Sequence, residues 1–239
     1  METTTSSQVQ AASPFSAVFS MFYEPTKTFN SLSPKRYGWL PLLLVMASTL
    51  TLFIWYYSTV DFAWLQEQMV ASLPAPDREA SKQFMTKGVL MGGTIFGVLV
   101  FMPVMMVITA VYLLLVSKAL NKPFTFYDGF SLSAWSSITA VLSLPLGAMQ
   151  ILMSSNHQFS FSELNPLSLN QLAFHHEMGH PLTSLLDSIS IPMVWGMVLM
   201  VIGYQVWAKV SRTTALAVTL VPYGTIYGIW LAFAMSKAV

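Results

Sequence analysis

The sequence contains no cysteine and few charged residues, and both shortages narrow what the protein can be. Without cysteine, the 239-residue chain can form no disulfide, no thiolate metal site and no cysteine nucleophile. Only 9% of its residues are charged, against about a quarter in soluble domains, while 54% are hydrophobic. A net charge of +1 gives no reason to expect nucleic acid as a partner. This composition predicts an integral membrane protein.

The longest hydrophobic run extends from Gly88 to Ser117 and carries no charged side chain. As a helix it would reach about 45 Å, more than the roughly 30 Å hydrocarbon core of a bilayer. It must therefore cross a membrane with a tilt or with a bend near Pro103. Four further hydrophobic runs cover about residues 39–57, 131–153, 189–208 and 214–235. The predicted fold class is all-α, a polytopic bundle of five transmembrane helices.

The chain begins with a polar segment that precedes the first span. Met1 to Ser13 lacks a basic region followed by an apolar core, so we expect no cleavable signal peptide. A short amphipathic helix is predicted next, because four apolar residues share one helical face: Phe15, Val18, Phe19 and Phe22. This helix would either pack in the membrane interface or bind a partner. Residues 1–34 form the N-terminal segment, and residues 35–239 form the membrane domain.

The distribution of basic residues predicts how the five spans are oriented. With a cytoplasmic N-terminus, the inner segments hold Lys27, Lys35, Arg36, Lys118, Lys122, Lys209 and Arg212. The outer segments hold Arg78, Lys82, Lys87 and Lys237. Because basic residues concentrate on the cytoplasmic side, we expect the N-terminus inside and the C-terminus outside.

Three GxxxG pairs occur in the spans, at Gly88/Gly92, Gly93/Gly97 and Gly224/Gly228. Such pairs let two helices approach closely. They indicate either packing between helices of one chain or association of two copies.

All four histidines lie in the loop between the third and fourth spans, where His176 to His180 match the HExxH pattern. In zinc enzymes the two histidines share a helical face and the glutamate acts as general base. Here Pro181 follows at once, and Asp187 is the only later acidic or histidine side chain that could serve as third ligand. We therefore predict no catalytic residue, no metal site and no cofactor. A metal-dependent enzyme and a regulatory or pH-sensing loop remain alternatives.

The predicted spans also contain no Asp, Glu, Lys, Arg or His. Ion-coupled transporters normally carry ionisable groups near the membrane midplane. This shortage disfavours a transport-associated subunit, which stays a further alternative.

The order of features resembles the Yip (Ypt/Rab-interacting protein) domain family, and specifically its bacterial branch. The resemblance covers about Phe19 to Ala234 and starts from the pattern Pro25-x-x-Thr28-Phe29-x-x-Leu32. Phe124 to Trp135 and Ser188 to Tyr204 enter the third and fourth spans in the same order. It implies five spans, a cytoplasmic N-terminus and a non-enzymatic role in organising membranes or recruiting partners. Of the eukaryotic Asp-Leu-Tyr-Gly-Pro signature, only Tyr23 and Pro25 remain.

We accordingly predict a partner-binding cytoplasmic face and a bacterial inner-membrane location. The face comprises Phe15, Phe19, Phe22, Tyr23, Pro25, Phe29, Phe126, Tyr127 and Asp128. Within it, Tyr23, Pro25 and Phe29 would fix the approach of the N-terminal segment to the bundle. The expected partners are the lipid bilayer, an unidentified membrane or cytoplasmic protein, and a second copy of the chain.

Overall fold

The computed structural model describes residues 13–238 and consists of helices joined by short loops. No strand occurs in this part of the chain; two loop residues, Ser168 and Ser190, form an isolated bridge. Two short helices precede the first span, at Pro14–Ser20 and Pro25–Leu32, and three further short helices lie in the loops. The α-helices are α1 (Pro14–Ser20), α2 (Pro25–Leu32), α3 (Trp39–Thr59), α4 (Phe62–Val70), α5 (Ala75–Phe84), α6 (Lys87–Phe96), α7 (Met102–Ala119), α8 (Phe126–Ser136), α9 (Ser143–Met153), α10 (Thr183–Ser188), α11 (Ile191–Ala208) and α12 (Arg212–Ala238).

Five helical units are long and apolar enough to cross a membrane. They are α3, α6–α7 joined by a π-helical turn at Gly97–Phe101, α8–α9 joined by a 3₁₀ segment at Ser137–Leu142, α11 and α12. The sequence prediction of an all-α polytopic membrane protein is thus confirmed.

The third span starts five residues earlier than the hydrophobic run suggested. Thr125 caps α8 by accepting from the backbone N–H of Asp128, and the Asp128 carboxylate accepts from the backbone N–H of Thr125. This reciprocal capping box begins the helix at Phe126. The third span therefore contains an acidic residue, which corrects the expectation that the spans have none.

Prolines inside two spans leave carbonyl groups that other helices satisfy. A proline has no N–H, so the carbonyl four residues before it loses its helical donor. For Pro145 that carbonyl belongs to Val141 and accepts from the Ser48 hydroxyl at 3.2 Å. For Pro222 it belongs to Val218 and accepts from the Tyr112 hydroxyl at 2.8 Å. Both bonds tie neighbouring helices together.

Two buried clusters hold the bundle at its opposite ends. The larger joins α1 and α2 to α7, α8, α11 and the start of α12, with Trp135 and Tyr204 fully buried in it. The smaller surrounds Tyr56 near the end of α3 and includes Leu65 of α4 and Phe159 of the histidine loop. The loops at residues 60–86 and 154–190 therefore cover one end of the bundle. Helices α1 and α2 pack at the other end.

Close helix contacts use glycines outside the GxxxG pairs. A Cβ atom on Gly129 would come within 2.9 Å of the Ala110 backbone, so only glycine lets α7 and α8 meet there. At the six GxxxG glycines, Gly88, Gly92, Gly93, Gly97, Gly224 and Gly228, a Cβ would meet nothing within 4 Å. The expectation that these pairs mediate packing within the chain is wrong, because their faces have no close neighbour among the described residues.

Candidate functional site

The N-terminal helices are fixed to the bundle through Phe29 on α2. Its side chain is fully buried and meets the Trp207 ring edge-on, with ring centroids 5.2 Å apart. The Trp207 indole N–H also donates to the Phe29 carbonyl at 2.8 Å. Gly203 makes room for this ring, since a Cβ there would lie 2.7 Å from Phe29 atoms and 2.3 Å from Leu132. Phe29 thus inserts between α8 and α11.

Arg36 forms the second attachment, in the turn between α2 and α3. Its guanidinium Nε donates to Asp128 at 2.5 Å, and Nη1 donates to the Ser33 carbonyl. The guanidinium carbon lies 4.4 Å from the centroid of the Trp207 ring, a cation–π distance. The carbonyl of Arg36 accepts from the Trp135 indole N–H at 2.6 Å. One residue therefore contacts α8 and α11 together.

The backbone at this turn is conformationally unusual. Arg36 and Tyr37 both have positive φ, at 61° and 49°, a region that non-glycine residues seldom occupy. Gly38 follows, and a Cβ there would lie 2.6 Å from the Ser131 hydroxyl oxygen. The turn is held in this form by the contacts of Arg36. We call Phe29, Arg36, Asp128, Trp135 and Trp207 the docking cluster.

The predicted partner-binding residues separate into an outward and an inward group. Five side chains are exposed: Phe15 (66%), Phe19 (73%), Tyr23 (71%), Phe126 (41%) and Tyr127 (39%). Phe22 and Pro25 are half-buried. Phe29 and Asp128 are buried in the docking cluster and are not available to a partner in this arrangement, because the bundle already occupies their contacts. Phe29 attaches the N-terminal segment to Trp207 on α11, and Asp128 on α8 pairs with Arg36.

The apolar face of α1 that meets the bundle differs from the one the spacing favoured. Ala17 and Met21 are fully buried in the larger cluster, and Val18 packs beside them. Phe15 and Phe19 lie on the other side of the helix and stay exposed, while Phe22 follows its end at Ser20. Small and flexible side chains pack against the bundle, and the phenylalanines face away from it.

The HExxH residues lie in a non-helical loop, and their geometry does not match a zinc site. Residues 175–182 have no helical conformation, and His175 has a positive φ of 55°. The rings of His176 and His180 stack at 3.8 Å with 12° between their planes. The lone pairs of parallel stacked rings point in parallel directions and do not converge on one ion. Within residues 13–238, no group of three candidate ligands lies close enough to hold a metal.

The loops at the histidine end are joined through Asp61, the N-cap of α4. Its carboxylate accepts from the Gln158 side chain at 3.0 Å and from the Trp64 backbone N–H. These two donors hold the pKa of Asp61 below its usual range. A lowered carboxyl pKa stabilises the folded state above the ordinary value of about 3.9, and acidification removes that contribution.

Three members of the docking cluster were not predicted from the sequence: Arg36, Trp135 and Trp207. Arg36 was counted only among the basic residues that predict the orientation, and Trp207 was assigned no role. The available signal was the position of Trp135 and Trp207 within or near the end of an apolar run. A tryptophan buried there needs an acceptor for its indole N–H, which indicates a contact with a neighbouring segment.

The model of the Yip1 domain family matches residues 19–234. The chain belongs to the Yip1 domain family. The match begins within α1 and ends within α12, so the Yip1 domain contains the docking cluster, the first four spans and most of the fifth. Comparison with curated proteins gives no match, and comparison with solved structures gives none either.

Proposed function

We propose that this Yip1-domain protein is a non-enzymatic membrane-organising protein that inserts its N-terminal helices into the interface of one leaflet. In this proposal the docking cluster holds α1 and α2 rigidly on the bundle, and the exposed aromatic side chains enter the lipid. No catalytic step is assigned to it. The bacterial inner membrane, with the N-terminus in the cytoplasm and the C-terminus outside, is the proposed location.

The depth of Phe29 is the observation that carries the proposal. Gly203, which contacts Phe29, lies five residues before the end of α11 at Ala208. At 1.5 Å per residue this is about 7 Å inside the end of the span. Interfacial helices typically bury their apolar face about 5–10 Å below the headgroups. This depth supports a position of α2 at the level of the interface.

The composition of α1 supports the same position. Its seven residues include no charged side chain, and its outward face carries Phe15 and Phe19. Helices that lie in the membrane interface carry Trp, Phe and Leu on the face that enters the lipid. Trp39, at the start of α3, is 61% exposed at the same end of the bundle. These side chains would form an aromatic belt around the N-terminal end.

Reconstitution into lipid vesicles tests the proposed function. The wild-type chain is compared with a Phe15→Ser/Phe19→Ser variant, and vesicle shape is imaged by electron cryomicroscopy at equal protein density. We expect the wild type to give narrower or tubular vesicles and the double variant to leave their shape unchanged. Phe84→Ser is the matched control, because Phe84 is an equally exposed aromatic residue on α5. Equal vesicle shapes for the wild type and the double variant would refute the proposal.

Recruitment of a protein partner is a second candidate function. Tyr23, Phe126 and Tyr127 are exposed on elements that the docking cluster joins, which would offer one continuous surface to a membrane or cytoplasmic protein. Crosslinking in intact membranes, comparing the wild type with Tyr23→Ala/Tyr127→Ala, tests it. Point variants are preferable to removal of residues 1–33, because Phe29 and Leu32 belong to the core. A partner captured equally by both chains would exclude this surface.

Association of two copies is proposed for the faces that carry the GxxxG pairs. Gly224 and Gly228 on α12 have no close neighbour within the described chain, as a helix-pairing surface requires. Gly224→Leu/Gly228→Leu should abolish a dimer seen by crosslinking in membranes, and Ile226→Leu is the control, because Ile226 is exposed on the opposite side of the same helix. Unchanged crosslinking would exclude this face.

A further inference from the structure

A cavity of about 380 Å³ lies inside the bundle, toward the end that carries the histidine loop. Its walls come from α3, the third span, α11 and α12, together with loop residues near Leu164. On one side of the cavity, Gly196 lets α11 approach the third span closely, since a Cβ there would lie 2.8 Å from the Ser136 carbonyl oxygen. Its volume falls in the range of ligand pockets, about 300–1,000 Å³.

Two hydroxyl groups that line this cavity have no hydrogen-bond partner in the part of the chain that the structure describes, and their oxygen atoms stay accessible from the cavity. Neighbouring hydroxyls in the same span bond to backbone carbonyls, as Ser137 does to Ser133 and Ser143 does to Ala140. Ser133 and Thr139 both line the cavity and are 6% and 3% exposed. Their hydroxyls form no hydrogen bond with any group in residues 13–238. A ligand that fills the cavity would cover these hydroxyls, and covering them without a partner would cost free energy. A ligand that supplies acceptors or donors is therefore favoured here.

The remaining walls determine the charge and polarity of that ligand. Among residues 13–238, no Asp, Glu, Lys, Arg or His lines the cavity, so a charged headgroup would find no counterion there. Apolar side chains cover most of the surface, including Leu52, Met193 and Met197. Methionine side chains adapt to irregular shapes. These walls fit an uncharged molecule that is mostly apolar and carries a few oxygen atoms.

The path to the cavity favours a molecule that arrives from the bilayer. Helix α12 packs mainly on α11, and its contacts with the third span are sparse. Tyr223 of α12 also lines the cavity. The sparsely packed side between α12 and the third span is therefore the route that we infer for a molecule entering from the lipid.

We propose that this cavity binds the head of an uncharged lipid, whose hydroxyl or ester oxygens bond to Ser133, Thr139 and Tyr223 while its chains leave between α12 and the third span. The site does not involve α1, α2 or the docking cluster. It is therefore independent of the proposed function, and either can fail without the other.

Native mass spectrometry of the purified full chain tests this proposal, with diacylglycerol as the probe. Phosphatidic acid with the same acyl chains is the control lipid, because it differs only in its charged headgroup. We expect the wild type to retain one diacylglycerol and to discriminate against phosphatidic acid. Failure to retain diacylglycerol, or equal retention of both lipids, would overturn the proposal.

Substitutions that remove the hydroxyls place the bound lipid in the cavity. Ser133→Ala/Thr139→Val should reduce retained diacylglycerol about tenfold, since two hydrogen bonds are lost. Thr109→Val is the matched control, because the Thr109 hydroxyl bonds to its own helix at Met105 and lies outside the cavity. Should the double variant fail to fold, Tyr223→Phe removes the hydroxyl that α12 contributes to the cavity wall, and it should also lower the retention of diacylglycerol. Retention unchanged in a folded cavity variant would refute the site.

Discussion

Arg36 is the residue on which the attachment of the N-terminal helices depends most. Replacing it with alanine leaves the Asp128 carboxylate in a largely buried position without its cation. We expect Arg36→Ala to lower the free energy of unfolding by about 2–3 kcal/mol, measured by thermal unfolding of the purified protein in detergent. Lys27→Ala is the control, because its ion pair with Glu24 is exposed. Similar shifts for both variants would show that Arg36 is not an anchor.

Gly203 provides a second test at the scale of one residue. An added methyl group would crowd Phe29 and Leu132, so Gly203→Ala should cost about 1–3 kcal/mol through overpacking. Gly224→Ala introduces the same methyl group where it meets nothing within 4 Å. It should leave stability unchanged or slightly higher. Equal melting temperatures for the two variants would contradict the tight packing at Gly203.

The sequence allowed only part of the docking cluster to be predicted. Phe29 was placed in the attachment because it belongs to the short pattern Pro25-x-x-Thr28-Phe29-x-x-Leu32, which local sequence encodes. The ion pair of Arg36 and Asp128 joins residues that are 92 positions apart. No local pattern specifies such a pair, because it depends on how α8 and α11 come together.

At the scale of elements, hydroxyl groups from neighbouring helices satisfy the carbonyls that Pro145 and Pro222 leave without a helical donor. Tyr112→Phe removes the donor to the Val218 carbonyl and should cost about 1 kcal/mol. In a Pro222→Ala background, residue 222 regains a backbone N–H that can bond to the same carbonyl. The same tyrosine substitution should then cost less. A double-mutant cycle by thermal unfolding measures this coupling, and strictly additive effects would contradict it.

Hydrophobic periodicity located the elements but not their details. It predicted five spans, because long apolar runs without charged residues are typical of transmembrane helices. It placed the third span five residues late, because the capping box at Thr125 and Asp128 is polar and resembles a loop. It singled out the phenylalanine face of α1, which points away from the bundle, and gave no indication that Ala17 and Met21 would pack on the bundle.

For the whole molecule, the orientation in the membrane is open to a direct test. The chain has no cysteine, so single cysteines at Ser155 and Ser211 can be labelled without a background signal. Both positions are exposed, in loops at opposite ends of the bundle. We expect Ser211→Cys to react only from the cytoplasmic side and Ser155→Cys only from outside. Labelling of both from one side would refute this topology.

The position of α1 relative to the lipid surface tests the proposed function most directly. Spin labels on Phe15→Cys and Phe19→Cys would be compared for collisions with oxygen, which enters lipid, and with a nickel chelate, which stays in water. Ser211→Cys serves as the water reference, and Ile229→Cys, which is exposed on α12, serves as the lipid reference. We predict that both α1 labels favour oxygen, at an interfacial depth of about 5–10 Å. Nickel accessibility equal to that of Ser211→Cys would place the phenylalanines in water and contradict the membrane-organising account.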